Sequence, residues 1–234
     1  MHDYDIKNTE LISITGLNKV KDTRVLIVGL GGIGGHLANH LARLGVKTLH
    51  LCDHDVFQPS NINRQLFSSV ASLGSSKADI VGKAVQGIRQ DVKVVVHACR
   101  IENLDSHIWN DIDIVMDALD NVKTRIYLED MAYRHNVPLI HGAIGGWYGQ
   151  VGIIMPGSRI LARLYQGKEQ GPEAILGSPT FTPSVIAGIM VGEFVKCMQN
   201  DEHALIDKIM MIDLLNHDYQ ILTFDEPNER KERL

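Results

Sequence analysis

Residues 25–35 read VLIVGLGGIGG, and this run constrains the fold more than any other part of the chain. VLIV is apolar at every position, as a strand buried on both faces of a parallel sheet must be. Beyond it, Ile33, Leu37, Leu41 and Leu44 recur at helical spacing, and Gly45 stands where a C-terminal cap is expected. Between the two elements, Gly29, Gly31 and Gly34 complete G-x-G-x-x-G. The first glycine permits a tight turn, the second lets a phosphate approach with no Cβ in the way, and the third lets helix and strand pack closely. The helix start then offers free N–H groups and a positive dipole end to an anion.

The pattern repeats downstream. Short apolar runs at 48–52, 92–98, 113–119 and 138–141 read as further strands, with helical spacing at 77–89 and 124–135. Strand and helix in alternation predict an α/β fold, a Rossmann-like doubly wound and mostly parallel sheet. After residue 140 the pattern changes. Residues 142–149 are glycine-rich, 150–155 read as a strand, and 157–182 read as a mobile crossover loop. An apolar helix is expected over 184–198, and runs at 209–215 and 220–224 predict a closing antiparallel hairpin. With a helical segment over 1–22, the whole of 1–234 reads as one domain.

Composition narrows the function. A net charge of -5 with no long run of Lys or Arg argues against a nucleic-acid partner. Cys52, Cys99 and Cys197 are far apart and form no CxxC pair, so neither a zinc knuckle nor a disulfide framework is expected. The start MHDYDIKNTE lacks a signal-peptide pattern, and no apolar run approaches the ~20 residues that span a bilayer, so no membrane association and a cytoplasmic setting are expected.

Asp53 closes the second strand, 24 residues after Gly29, in position for ribose hydroxyls. To this point the features describe an NAD site equally well. The residues that follow differ: D-x-D at Asp53 and Asp55, S-N-x-x-R-Q ending at Arg64 and Gln65, Lys77, and D-N-x-x-x-R from Asp120 to Arg125. In this order and spacing, from about residue 21 to 193, the chain resembles the E1-like adenylyltransferases that activate ubiquitin-like sulfur carriers, the ThiF/MoeB/HesA family.

The resemblance implies roles. Gly32 and its neighbours Gly29, Gly31 and Gly34 line ATP, and Asp53 holds the ribose. Asn61 and Arg64 reach the phosphates, Lys77 sits over the α- and β-phosphates, and Asp120 binds Mg2+ while Asn121 shapes that strand end. Asp55, Gln65 and Arg125 match the motifs and help position them. Arg64, Lys77 and Asp120 carry catalysis, because AMP transfer to a carboxylate gathers negative charge on the α-phosphoryl group. A terminal carboxylate, with a pKa of about 3.5, is already ionised and needs no general base.

The implied substrate is a small ubiquitin-like sulfur carrier with a Gly-Gly tail, its tail lying near residues 142–150, and the implied assembly is a homodimer. Three departures stand out. Residues 156–183 hold no cysteine, so the zinc site of relatives is absent and a separate sulfur donor is expected. No arginine precedes Arg24, where relatives carry one that reaches across the dimer; Lys7 is the available cation. Alternatives therefore remain: a tRNA threonylcarbamoyladenosine dehydratase-like enzyme, or a non-catalytic nucleotide- or carrier-binding homologue. His36 and His40, spaced i, i+4, are either a partial metal site or polar-face residues, and Trp147 and Tyr148 either line a groove or pack.

Overall fold

The computed structural model describes residues 3–9, 11–168, 171 and 176–224. A 3-10 turn at Asp3–Asp5 leads to α1 (Ile14–Asp22), where helical structure had been expected over 1–22 as a whole. Buried Asp5 pins the turn, pairing with Lys21 and with Arg89 at 3.0 Å. Next come β1 (Arg24–Val28), α2 (Gly32–Leu44), β2 (Thr48–Cys52), α3 (Lys77–Gln86) and β3 (Lys93–His97). β4 (Ile114–Asp117) and α4 (Val122–Arg134) follow, then β5 (Leu139–Gly145), β6 (Tyr148–Ile154), α5 (Ile160–Leu164), α6 (Phe181–Gln199), β7 (Lys208–Asp213) and β8 (Asp218–Thr223).

All eight strands join one sheet in the order β3-β2-β1-β4-β5-β6-β7-β8. The first five are parallel and the last three antiparallel, which is the doubly wound sheet with an antiparallel extension read from the sequence. Val28 pairs with both Cys52 and Asp117, so β1, β2 and β4 end level with one another. Between β1 and β4 the winding reverses, and a crevice opens beyond their carboxyl ends. One apolar core lies under α2, α3 and α6, built around Leu37, Leu41, Met116 and Phe194. The other lies under α4 and α5, built around Leu26, Val115, Leu128 and Leu161. Each such fully buried side chain contributes about 1.5–3 kcal/mol over leaving it in water.

Two regions differ from the sequence expectation. The glycine-rich stretch is the β5–β6 hairpin, with Gly142 opposite Val151 and Gly149 opposite Ile144. A Cβ on Gly142 would meet Met190 Sδ at 2.2 Å, and one on Gly149 would meet Ile186 Cδ1 at 2.2 Å. The glycines let α6 lie directly on the hairpin, and their weak strand propensity hid how far the strands expected at 138–141 and 150–155 run toward the turn. The expected loop over 157–182 contains α5. Its Ile160 and Leu161 are buried, and Glu129 of α4 accepts from Leu161 N at 2.7 Å and Ala162 N at 3.0 Å.

The helix expected over 184–198 extends to 181–199. At 19 residues and a mean hydropathy of 1.3 it is long and apolar enough to cross a bilayer, contrary to the expectation that no run would be. In this fold it packs on α2, β5 and β6 through Ile186, Ala187, Met190 and Phe194.

Candidate functional site

A cavity of about 360 Å³ opens at the carboxyl ends of β1, β2 and β4. It is large enough for a small-molecule ligand. Its floor is the glycine turn. Gly29 has φ +88°, and a Cβ there would stand 2.6 Å from Ala118 O, so the turn admits no side chain. Gly34 does not line the cavity; a Cβ on it would lie 1.8 Å from Gly29 O, which makes it the helix–strand packing position. Gly31 is the N-cap of α2 and offers no side-chain acceptor to the first turn, so Gly31, Gly32 and Ile33 present bare helix N-terminus to the cavity.

One wall comes from the loop after β2. Asp53 is buried, and its Oδ2 accepts from Leu30 N at 2.6 Å while Oδ1 accepts from Asp55 N at 2.7 Å. Asp55, half of whose side chain is exposed, pairs with Lys77 Nζ at 3.0 Å. Lys77 opens α3 and is only 7% exposed, so it is no solvated surface lysine; Ser76 caps the helix by accepting from Asp79 N. The side chain is thus held at the cavity wall by its pairing with Asp55.

The same loop carries the S-N-x-x-R-Q residues. Arg64 lines the cavity and donates to Ser60 O at 3.0 Å and Asn63 Oδ1 at 2.9 Å. Asn61 is buried away from the cavity, and its Oδ1 accepts from Gln58 N at 2.9 Å, closing the turn at Pro59–Asn61. Gln65 lines the cavity beside Gly31; its Oε1 is buried and has no hydrogen-bond partner among the described residues. A buried orphan acceptor costs free energy that a donor on a bound ligand would relieve.

The opposite wall is the β4–α4 turn. Asp120 is exposed there, and Asn121 caps α4, its Oδ1 accepting from Thr124 N at 2.9 Å. Asp120 is therefore the unencumbered carboxylate of this turn facing the cavity, the donor type that Mg2+ takes. Among the described residues, the side chains close enough to share an ion, within 4.8 Å, are Asp53, His54 and Asp55, a group that does not include Asp120. His36 and His40 are half-buried, their rings 6.4 Å apart, and burial holds both below the ordinary histidine range. Trp147 and Tyr148 are exposed, and Trp147 packs on Phe181 with ring centres 4.5 Å apart.

Sequence reasoning missed two parts of the site. Cys99, Arg100, Ile101 and Glu102, just past β3, form a third wall, with no motif to mark them. Arg125, which lines the cavity, belongs to a buried polar cluster with Asp117, His141, Gln150 and Tyr165, of which the motifs flagged Arg125 alone. His141 had been read as the end of an apolar strand; its buried polar neighbours come from distant elements.

Known proteins share this architecture. The SAMP-activating enzyme E1 of Haloferax volcanii is 29% identical over 214 residues, which cover 89% of this chain and 79% of that enzyme. The adenylyltransferase and sulfurtransferase MOCS3 of Caenorhabditis briggsae is 34% identical over 141 residues, 60% of this chain and 35% of MOCS3. The crystal structure of E. coli MccB with ATP superposes with a TM-score of 0.75 at 19% identity, over 92% of this chain and 67% of that one. The ThiF family model matches residues 3–233, across the whole sheet and every wall of the cavity, and the chain belongs to the ThiF family.

Proposed function

We propose that this adenylyltransferase transfers AMP from ATP to the C-terminal glycine carboxylate of a small ubiquitin-like sulfur carrier and releases pyrophosphate. The observation that carries the reading is the convergence on one cavity of the bare α2 N-terminus, Lys77, Arg64 and Asp120. The helix N-terminus binds phosphate through its N–H groups. Lys77 and Arg64 offset the charge that grows on the α-phosphoryl group as the carboxylate attacks. Asp120 would hold a magnesium ion, which would supply charge neutralisation of the polyphosphate. Asp53 takes the ribose, and Gln65 supplies the spare acceptor for a nucleotide donor.

The carrier class is supported by the relative named as a SAMP-activating enzyme. The carrier tail would enter beside the β5–β6 hairpin, where Trp147 and Tyr148 are exposed. A homodimer is proposed, with the outer side of α6 as its contact, where Phe181 and Val185 are exposed. With cysteine only at positions 52, 99 and 197, the 156–183 stretch has no thiol, so sulfur would come from a separate donor. A cytoplasmic location is proposed with it.

One observation favours a second reading, a nucleotide- and carrier-binding protein without turnover: Asn61, expected to reach the phosphates, is not among the residues that line the cavity. ATP–pyrophosphate exchange with purified protein, with and without carriers ending in Gly-Gly, separates the two. Carrier-dependent exchange that disappears on tail truncation supports the enzyme; ATP binding with no exchange supports the binding protein.

A further inference from the structure

The buried polar cluster that includes Arg125 links two parts of the chain that do not touch the ligand space in the same way. Asp117 ends β4, and its Oδ1 accepts from Leu119 N at 3.0 Å. Its Oδ2 lies 2.7 Å from His141 Nδ1. The His141 ring is fully buried, and burial holds it below the ordinary histidine range despite Asp117. A neutral ring donating from Nδ1 leaves Nε2 as an acceptor, and Gln150 Nε2 at 3.1 Å and the Tyr165 hydroxyl at 3.4 Å face it. Tyr165, one residue past α5, also accepts from Arg125 Nη1 at 3.1 Å, and Arg125 Nη2 donates to Leu119 O. Leu119 is therefore held at both its N–H and its carbonyl, immediately before Asp120.

We infer that Tyr165, acting through Arg125 and Leu119, is a positioning residue that couples seating of the 160–168 segment to the placement of Asp120. The segment is tethered to α4 by Glu129, and its tyrosine completes the bonds that set the β4–α4 turn. A buried network of this kind either satisfies all its members or loosens as a unit. The inference rests on the adenylyltransferase reading only for what Asp120 does, and not for the coupling itself.

The test is Tyr165→Phe, which keeps the ring against Arg125 and removes the hydroxyl. Thr9→Val serves as control, because it removes a hydroxyl and its hydrogen bond to Ile6 O at a surface turn outside both the segment and the cluster. Hydrogen exchange reads the coupling with no reaction needed. Amides at 119–121 should exchange at least roughly tenfold faster in Tyr165→Phe and at the wild-type rate in Thr9→Val. In ATP–pyrophosphate exchange, kcat should fall about tenfold with KM for ATP within about twofold, and the Mg2+ requirement should rise. Unchanged amide exchange at 119–121 overturns the inference. Faster amide exchange in a wild-type background that never turns over ATP would keep the coupling and sink the adenylyltransferase reading.

Discussion

Leu30 N–H donates to Asp53 Oδ2 at 2.6 Å, so the acid expected to hold ribose also holds the glycine turn. Its Oδ1 accepts from Asp55 N, fixing the following loop. Each carboxylate oxygen has a second lone pair, which leaves capacity for ribose hydroxyls. Asp53→Asn keeps one acceptor and places an amide N–H2 against a backbone N–H. We expect a loss of roughly 1–3 kcal/mol in stability together with weaker ATP binding, read by thermal melts and calorimetry. Full stability with weaker binding would show that the backbone contacts are incidental.

Lys77 and Asp120 sit on opposite walls, and their replacement should separate chemistry from folding. Lys77→Ala leaves Asp55 beside His54 Nε2 at 3.3 Å, and the Asp55 side chain is 53% exposed, so the stability cost is held to about 1 kcal/mol. The rate of ATP–pyrophosphate exchange should drop roughly 10²–10³-fold. Asp120→Asn should instead raise the Mg2+ concentration needed for half-maximal rate. Equal rates for wild type and Lys77→Ala would remove the cationic clamp from the mechanism.

Gly34→Ala tests the packing position. The added methyl would lie 1.8 Å from a backbone oxygen, which no rotamer relieves. A loss above about 3 kcal/mol is expected in urea melts. A near-wild-type midpoint would mean that α2 slides away from β1 at little cost.

His50 is one of several buried or half-buried histidines that contribute to acid sensitivity. Its ring is 2% exposed, 3.1 Å from the His97 ring, and burial with the His97 neighbour lowers its pKa to about 4. The unfolded chain, with an ordinary histidine, binds a proton below about pH 6.5, before the folded chain does. The contribution of His50 to stability is therefore full above about 6.5 and declines as pH falls toward 4, by up to about 3 kcal/mol. His50→Gln should flatten that part of the stability–pH curve measured by denaturant titration. A slope identical to wild type would assign the acid sensitivity elsewhere.

The sequence by itself determined whatever is local. VLIV followed by three spaced glycines specifies a strand, a tight turn and a helix, because backbone sterics and apolar periodicity act within a few residues. The same locality made the parallel strands readable, whereas Asp53, Arg64, Lys77 and Asp120 stood out through the resemblance to a known family, by their order and spacing. What the tertiary structure decided depends on partners far along the chain. Gly142 and Gly149 are strand residues because Met190 and Ile186 press on them, a contact that no local propensity records. Asn61 and Asn121 match ligand-binding motifs, and the fold uses their side-chain oxygens to close a turn and cap a helix. His141, Gln150 and Tyr165 look unremarkable in sequence, yet burial obliges each polar group to find a partner, and β5, β6 and α5 bring those partners together beside Arg125 of the cavity wall.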